Sequence, residues 1–186
     1  FMAEATGLFI DPGGEEPLTA LYAEITGERR AFADLAEEAK REEARTTFQP
    51  EVERLRELVD EPDMADAVAA LPVYRTYVEP EGEGAEDQDL RVVEEAGLPE
   101  RVREALVAPS DPEEEAFAVR FQQTTGAIMA KGVEDTALYR YSRLAALNEV
   151  GSDPGRWGRA PEEVHDAFLA RNRRFPRCLL ATQTHD

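Results

Sequence analysis

The sequence predicts a mainly α-helical protein with a few strands, and three observations lead to this fold class. Apolar residues recur at helical spacing through most of the 186 residues. Two short runs differ: Val73–Val78 is β-branched and aromatic, and Cys178–Thr182 is apolar and uncharged, both of which are typical of strands. The length and the hydrophobic content of 42% suffice for an ordinary buried core.

The N-terminal third is predicted to be helical. Gly27 is expected to end the first long helix. Pro50 is expected to break the second, because proline has no amide proton and its ring clashes with the preceding turn. The apolar spacing predicts helices over 17–26, 29–47, 52–59 and 64–71.

The rest of the chain alternates strand and helix signals. A strand over 73–78 follows Pro72, and a buried strand over 178–182 closes the chain. Ser110 or Asp111 is expected to cap a helix that begins at Pro112. Further helices are predicted over 87–96, 99–107, 136–147 and 161–173. These elements divide the chain into three predicted regions, 1–71, 72–115 and 116–186.

Charge is unevenly distributed and excludes several function classes. The net charge is −19, and residues 79–115 alone hold fourteen acids against three arginines. Such a chain is a poor match for nucleic acid or anionic lipid, which are bound by clustered Lys and Arg. The acidic stretch 79–87 is interpreted as a solvated loop, since its spacing does not fit the alternating ligands of a calcium-binding EF-hand.

The composition argues against a disulfide and against a metal site. Cys178 is the single cysteine, and His165 and His185 are the only histidines, which excludes a disulfide, a multi-thiolate zinc site and a His-rich metal site. No cofactor and no metal are therefore expected. No apolar run is long enough to span a membrane and no signal peptide is visible, so the cytoplasm is the expected compartment.

Residues 119–150 carry the most varied chemistry. Only two lysines stand among nineteen arginines: Lys40 lies on a charged helix where arginine would serve as well, and Lys131 lies between Ala130 and Gly132 in a loop-like setting. The ammonium of Lys131 suits a sugar hydroxyl or a phosphate, but on this argument alone an incidental surface lysine is favoured. Glu134 and Asp135 are neighbours and do not face each other, so Asp135 is better explained as a helix cap than as part of an acid/base pair.

Several other polar residues leave two interpretations open. The amides of Gln122, Gln123 and Asn148 can bind hydroxyl groups, but amides also bind the backbone at turns. Trp157 can stack on a sugar or close the edge of a core. Thr184-His185-Asp186 follows an apolar strand, where α/β barrels place site residues.

Seven motifs of this sequence carry a resemblance to a known family. They are Gly7-Leu-Phe-Ile-Asp-Pro12, Pro72-Val-Tyr-Arg-Thr-Tyr77, Arg120-Phe-Gln-Gln-Thr-Thr-Gly126, Met129-Ala-Lys-Gly-Val-Glu-Asp-Thr-Ala137, Tyr139-Arg-Tyr141, Leu147-Asn-Glu-Val-Gly151 and Ala181-Thr-Gln-Thr-His-Asp186. Together they resemble the maltooligosyltrehalose synthases, in the α-amylase superfamily of glycoside hydrolases. The block from Met129 to Thr136 looks specific to that family, and the Thr-His-Asp ending is shared more widely.

This resemblance implies a reaction and a fold. Such enzymes convert the reducing-end α-1,4 bond of a maltooligosaccharide into an α,α-1,1 bond by intramolecular transglucosylation, in trehalose biosynthesis. The superfamily uses the retaining mechanism with two carboxylates. The implied fold is a partial (β/α)8 barrel that carries a large helical insertion, with one barrel strand near 73–78 and strand seven at the end of the chain.

Site residues follow from the same resemblance. Asp186 matches the third aspartate of the superfamily, which binds hydroxyls of the transferred sugar, and His185 matches the histidine beside it. Lys131 matches a lysine that helps to hold the reducing-end glucose. Arg140, Asn148 and Glu149 fall in matching motifs and are assigned to the substrate pocket.

Two motifs of the family do not occur in these 186 residues. The nucleophilic aspartate and the acid glutamate precede Phe1 in the order of the family. The chain is therefore expected to be the interval between the acid and the third aspartate, with the rest of a parent chain supplying both groups, and to be inactive alone. Two alternatives stay open: another glycoside hydrolase or transglycosylase of the superfamily, and a non-catalytic helical interaction module.

Overall fold

The structure is a computed structural model, which describes residues 1–79 and 84–181. It is mainly helical, as predicted. A π-helix, Ala130–Ala137, follows α8, and 3₁₀ turns lie at Pro12–Gly14 and Ala145–Leu147. The helices are α1 (Met2–Gly7), α2 (Glu15–Thr26), α3 (Phe32–Arg45), α4 (Gln49–Leu58), α5 (Met64–Ala70), α6 (Asp87–Ala96), α7 (Glu100–Val107), α8 (Pro112–Met129), α9 (Leu138–Arg140) and α10 (Pro161–Arg174).

The chain divides into two compact units. One comprises Phe1–Leu35 with Ala137–Asp186, and the other comprises Ala36–Thr136. In the second unit α8 packs against α4, α5 and α7. Phe117 and Phe121 of α8 are fully buried, with ring centroids 5.4 Å apart. The apolar stripe of α8 therefore supplies the centre of this core.

Local signals fix most helix boundaries. The carboxylate of Asp111 accepts hydrogen bonds from the backbone amides of Glu113 and Glu114, each at 2.9 Å, and so caps α8. Gly27 ends α2 with a φ of 75°, a conformation that glycine adopts without steric cost. Pro50 lies in the first turn of α4, where its missing amide proton costs nothing, and the expected break before it is observed.

In the first unit α1 packs against α10. The rings of Phe1 and Phe168 stack with centroids 5.3 Å apart. The amide of Arg159 donates to the carbonyl of Gly7 at 2.9 Å, and a Cβ on Gly7 would lie 2.3 Å from Cγ of Arg159. The glycine that opens the Gly7–Pro12 motif is therefore required by a close contact with this side chain.

The strand predicted over 73–78 is wrong, because no strand among the described residues pairs with it. Residues 73 and 74 form bends, and residues 75–78 belong to neither a helix nor a strand. Among the described residues the one β contact is an antiparallel bridge between Glu79 and Gly84. The predicted acidic loop over 79–87 falls partly on residues 80–83, which lie outside the described residues, and α6 begins at Asp87 as expected.

Two further predictions near the C-terminus need correction. The buried strand predicted over 178–182 is not formed at 178–181: these residues make no ladder, and Leu179 is fully exposed. Thr182 lies outside the described residues. The helix predicted over 136–147 is divided instead into the end of the π-helix, α9 and a 3₁₀ turn, because Tyr141 leaves helical geometry with a φ of −101° and a ψ of 97°.

Candidate functional site

Gln122 of the Arg120–Gly126 motif holds the segment 73–79. Its side-chain oxygen accepts hydrogen bonds from the amide of Val78 at 2.8 Å and from the hydroxyl of Thr76 at 3.1 Å. Its side-chain nitrogen donates to the carbonyls of Val78 at 3.0 Å and Ala118 at 3.1 Å. Only 2% of Gln122 is exposed, so one buried amide takes the place of a neighbouring strand.

A second side chain fixes the same segment from α6. The carboxylate of Asp89 accepts a hydrogen bond from the amide of Tyr77 at 2.8 Å and another from the amide of Glu86 at 3.2 Å. The guanidinium of Arg75 lies 4.7 Å from the ring centroid of Tyr77. The Pro72–Tyr77 motif therefore presents Arg75 and the exposed Tyr77 from a backbone that is held at both Tyr77 and Val78.

Lys131 lies in the π-helix rather than in a loop, because α8 continues past Met129 without a break. Its ammonium forms an exposed ion pair with Asp135, four residues along. That hydrogen bond raises the pKa of Lys131 above its usual value, and the charge of Glu43 adds to the effect. Asp135 is therefore a partner of Lys131 and not the cap of a helix at Thr136.

Gly132 brings the π-helix into direct contact with α3. A Cβ on Gly132 would lie 2.7 Å from Cα of Lys40, 2.8 Å from its backbone nitrogen and 2.9 Å from its Cγ. Two of these atoms belong to the backbone and cannot rotate away. Only glycine allows the two helices to approach this closely at the residue next to Lys131.

Lys40 is buried, which corrects the interpretation of a charged helix position where arginine would serve. It is 7% exposed, and its Nζ donates to the carbonyl of Leu71 at 2.9 Å, directly after α5. Burial lowers the pKa of Lys40 below its usual value, although the charge of Glu37 opposes this. A compact ammonium at the carboxyl end of a helix also interacts favourably with the helix dipole.

Asn148 closes a turn in the other unit. Its side-chain nitrogen donates to the carbonyl of Leu138 at 2.6 Å and to the carbonyl of Tyr141. These two carbonyls flank Arg140, whose own carbonyl accepts a hydrogen bond of 3.4 Å from the hydroxyl of Tyr22. The structure therefore brings Asn148 and the backbone around Arg140 together, and the amide of Asn148 binds backbone in the described residues.

Tyr141 and Trp157 flank the guanidinium of Arg143. Their ring centroids lie 5.7 Å and 4.8 Å from it. Arg143 also donates to the carbonyl of Pro154 at 2.7 Å, and the indole of Trp157 donates to the carbonyl of Asp11 at 2.9 Å. Trp157 is half-buried, with its indole nitrogen bound to Asp11 and its ring beside Arg143.

The predicted site residues fall into three groups. Lys131 belongs to the unit of residues 36–136, and Arg140, Asn148 and Glu149 belong to the other. Glu149 is half-buried and engaged in interactions of its own. Asp186 and His185 lie outside the described residues.

Sequence reasoning interpreted Lys40 as replaceable by arginine, did not name Asp89, and left the role of Gln122 open. For Lys40 and Gln122 the helical spacing of the sequence does indicate burial. Lys40 falls at helical spacing between Ala36 and the fully buried Ala44, and Gln122 lies four residues after the fully buried Ala118. A polar residue on the apolar stripe of a predicted helix indicates a buried hydrogen bond.

Neither a metal-binding cluster nor a membrane-spanning helix occurs among the described residues. Over 1–79 and 84–181 no group of three or more His, Cys, Asp or Glu side chains is arranged to hold a metal ion. No helix in the described part of the chain is long and apolar enough to cross a membrane.

Comparison with known proteins identifies the relatives of this chain. No family model matches the sequence. A Mycobacterium tuberculosis protein named as a maltooligosyl trehalose synthase is 33% identical over the whole chain. The chain resembles maltooligosyltrehalose synthases along its entire length. It spans about a quarter of the curated relatives it matches, 25% in this case.

Solved structures of maltooligosyltrehalose synthases agree with this resemblance. The enzyme of Arthrobacter ramosus is 38% identical, with a TM-score of 0.78 over 100% of this chain and 25% of its own. A structure described as DSM5389 glycosyltrehalose synthase is 31% identical, with a TM-score of 0.71 over 91% of this chain and 22% of its own. The resemblance predicted from the motifs is confirmed by these neighbours.

Proposed function

We propose that this chain forms part of an enzyme that converts the reducing-end α-1,4 linkage of a maltooligosaccharide into an α,α-1,1 linkage by intramolecular transglucosylation. The observation that carries the proposal is the similarity to maltooligosyltrehalose synthases over the whole chain, at 38% identity for the Arthrobacter ramosus enzyme. A neutral sugar needs no positive surface, which agrees with a net charge of −19.

Roles follow for the residues of this chain. Asp186 binds hydroxyls of the transferred glucose and favours its distorted transition state, with His185 beside it. Lys131 holds the reducing-end glucose through its ammonium. Arg140, Asn148 and Glu149 contribute to the pocket, and the nucleophile and the acid of the retaining mechanism come from the rest of a longer polypeptide.

The same proposal covers the architecture. Residues 73–78 and the end of the chain are assigned to strands of a (β/α)8 barrel that form once neighbouring strands are present, and the helices over 1–71 are assigned to the insertion. Two features support this: residues 75–78 lie outside any helix, and the apolar Leu179 and Leu180 are exposed. The division at 71 and 115 and the cytoplasmic location remain predictions.

Product analysis of the longer polypeptide tests the activity. Incubated with maltopentaose, it is expected to form a non-reducing product, followed as loss of reducing ends. The Asp186→Asn variant should lose this activity by roughly three orders of magnitude or more, since a group that acts in the transition state is removed. Asp166→Asn, an exposed aspartate of α10, is the matched control and should retain normal turnover.

The products also distinguish the proposed transglucosylation from the alternative functions. Release of free reducing maltose in place of the non-reducing product would favour a hydrolase of the same superfamily. Normal turnover of the Asp186→Asn variant would refute the site assignment. The 186-residue chain by itself is expected to be inactive, and a trehalose-type product from it would overturn that expectation.

A further inference from the structure

Lys40 of α3 makes two contacts that bear on the position of Lys131. The first is the contact of Gly132 with the backbone of Lys40, where a Cβ would lie 2.7 Å from Cα. The second is the hydrogen bond of 2.9 Å from Nζ of Lys40 to the carbonyl of Leu71. One residue of α3 therefore contacts both the π-helix and the end of α5.

The carbonyl of Leu71 lies directly before the Pro72–Tyr77 motif. That motif is fixed further along by the hydrogen bonds from Tyr77 to Asp89 and from Val78 to Gln122. Lys40 thus connects two motif-bearing segments, one ending in Tyr77 and the other carrying Lys131. Its side chain is buried, so it does this from behind the surface that Lys131 presents.

The charge around Lys131 depends on the same helix. Glu43 lies three residues after Lys40 on α3, and its negative charge adds to the effect of Asp135 in raising the pKa of Lys131. A shift of α3 along the π-helix would move Glu43 relative to this ammonium. Both the location and the electrostatic surroundings of Lys131 are therefore set by where α3 lies against Gly132.

We propose that α3, through Lys40 and Glu43, positions the ammonium of Lys131 for the sugar that it binds. This proposal rests on the proposed function, in which Lys131 holds the reducing-end glucose. Lys40 and Glu43 are positioning residues: they act through Lys131 and need no contact with substrate. A displaced ammonium weakens a contact made equally in the ground and transition states, so KM rises more than kcat falls.

A double-mutant cycle on the longer polypeptide tests this. Lys131→Met and Lys40→Met should each raise the KM for maltopentaose by roughly tenfold with little change in kcat. The double variant should resemble Lys131→Met alone, because Lys40 has nothing left to position. If the effects on KM multiply instead, Lys40 acts independently of Lys131 and the proposal is wrong.

Glu43→Gln gives a second cycle that does not depend on a buried residue, since Glu43 is half-exposed. It should raise KM by a smaller factor, about twofold to threefold, and this effect too should vanish in the Lys131→Met background. Glu38→Gln, at an exposed position of α3, is the matched control and should leave KM unchanged. If Lys40→Met does not fold, the Glu43 cycle decides.

The outcomes separate the two proposals. A wild-type polypeptide that forms no non-reducing product would refute the proposed function. A normal activity with an unchanged KM in Lys131→Met would refute the positioning by α3 while leaving the reaction itself established.

Discussion

The side-chain oxygen of Gln122 accepts a hydrogen bond of 2.8 Å from the amide of Val78, and its nitrogen donates to the carbonyl of the same residue at 3.0 Å. This reciprocal pair has the pattern of two residues facing each other across antiparallel strands. A side chain of a helix therefore satisfies both backbone groups of Val78, which is 3% exposed. The consequence is a segment whose backbone is held at Val78 by a side chain and not by a neighbouring strand.

Replacement of Gln122 by leucine should destabilise the protein strongly. The change leaves the amide and carbonyl of Val78 and the hydroxyl of Thr76 buried without partners. Each such group costs about 1–3 kcal/mol, so a loss of about 3 kcal/mol or more in the free energy of unfolding is expected in urea denaturation. Gln123→Leu is the matched control: Gln123 is exposed, and a change within about 0.5 kcal/mol is expected. Equal effects of the two variants would contradict the role of Gln122.

Local signals predicted much of the fold, and contacts distant in sequence account for the errors. The cap at Asp111, the stop at Gly27 and the break before Pro50 each involve residues within a turn of one another, so the sequence reveals them. A strand needs a partner from elsewhere in the chain. The β-branched run at 73–78 predicted a strand, and it could not reveal that the side chains of Asp89 and Gln122 bind the backbone there instead.

The two glycines at the ends of the Gly126–Gly132 interval should respond oppositely to alanine. Alanine is favoured over glycine in helices by about 1 kcal/mol, and a Cβ on Gly126 would meet its nearest atom, the carbonyl oxygen of Tyr74, at an ordinary 3.8 Å. Gly126→Ala should therefore raise the free energy of unfolding by up to about 1 kcal/mol. Gly132→Ala should lower it by about 1–3 kcal/mol, because the new Cβ overlaps backbone atoms of Lys40. Thermal and urea unfolding measure both, and a stabilised Gly132→Ala variant would refute the close contact.

Lowering the pH should remove the stabilisation that Glu114 gives to the folded state. Its buried carboxylate accepts hydrogen bonds from the amide and hydroxyl of Ser110, each at 2.8 Å, and pairs with Arg101. The bonds from Ser110 are the main reason why the pKa of Glu114 lies below its usual 4.5. A lowered carboxyl pKa means that the folded state holds fewer protons than the unfolded state, so this stabilisation is complete above about pH 4.5 and is lost as the pH falls through the folded value.

The Glu114→Gln variant should lack the pH dependence of stability that Glu114 gives to the wild type. At neutral pH the variant is expected to be less stable than the wild type by about 1.5–3 kcal/mol, the range for hydrogen bonds to charged groups. The difference should narrow as the pH falls below about 4.5, because the wild type then loses the same contribution. Glu113→Gln, at an exposed position of the same turn, should follow the wild-type curve. A gap between Glu114→Gln and wild type that stays constant down to pH 3 would count against the assignment.

The sequence indicates the motif residues of the candidate site but not the residues that hold them in place, and the reason is physical. Motif residues such as Lys131 and Asn148 stand out by type, so sequence comparison finds them. The residues that hold them in place do not stand out by type, because the contact of Gly132 with Lys40 joins residues far apart in the chain. The π-helix that carries Lys131 was also missed, since no local cap or proline distinguishes its wide turns from an α-helix.

Asn148→Asp should destabilise the turn around Arg140. The side-chain nitrogen of Asn148 donates to the carbonyls of Leu138 and Tyr141, and a carboxylate would place negative charge against both oxygens. A loss of about 2 kcal/mol or more in the free energy of unfolding is expected at pH 7. These oxygens disfavour the charged form of the new carboxyl and raise its pKa, so the variant should recover part of its stability as the pH falls and the carboxyl regains one donor.

Urea denaturation at pH 7 and pH 5 measures this recovery relative to the wild type. Asn172→Asp, an exposed position of α10, is the control and should stay within about 0.5 kcal/mol of wild type at both values. A pH-independent loss in Asn148→Asp would mean that the two carbonyls do not face the side chain. An unchanged stability would assign Asn148 to substrate alone, because a residue that only binds ligand contributes nothing to the turn in its absence.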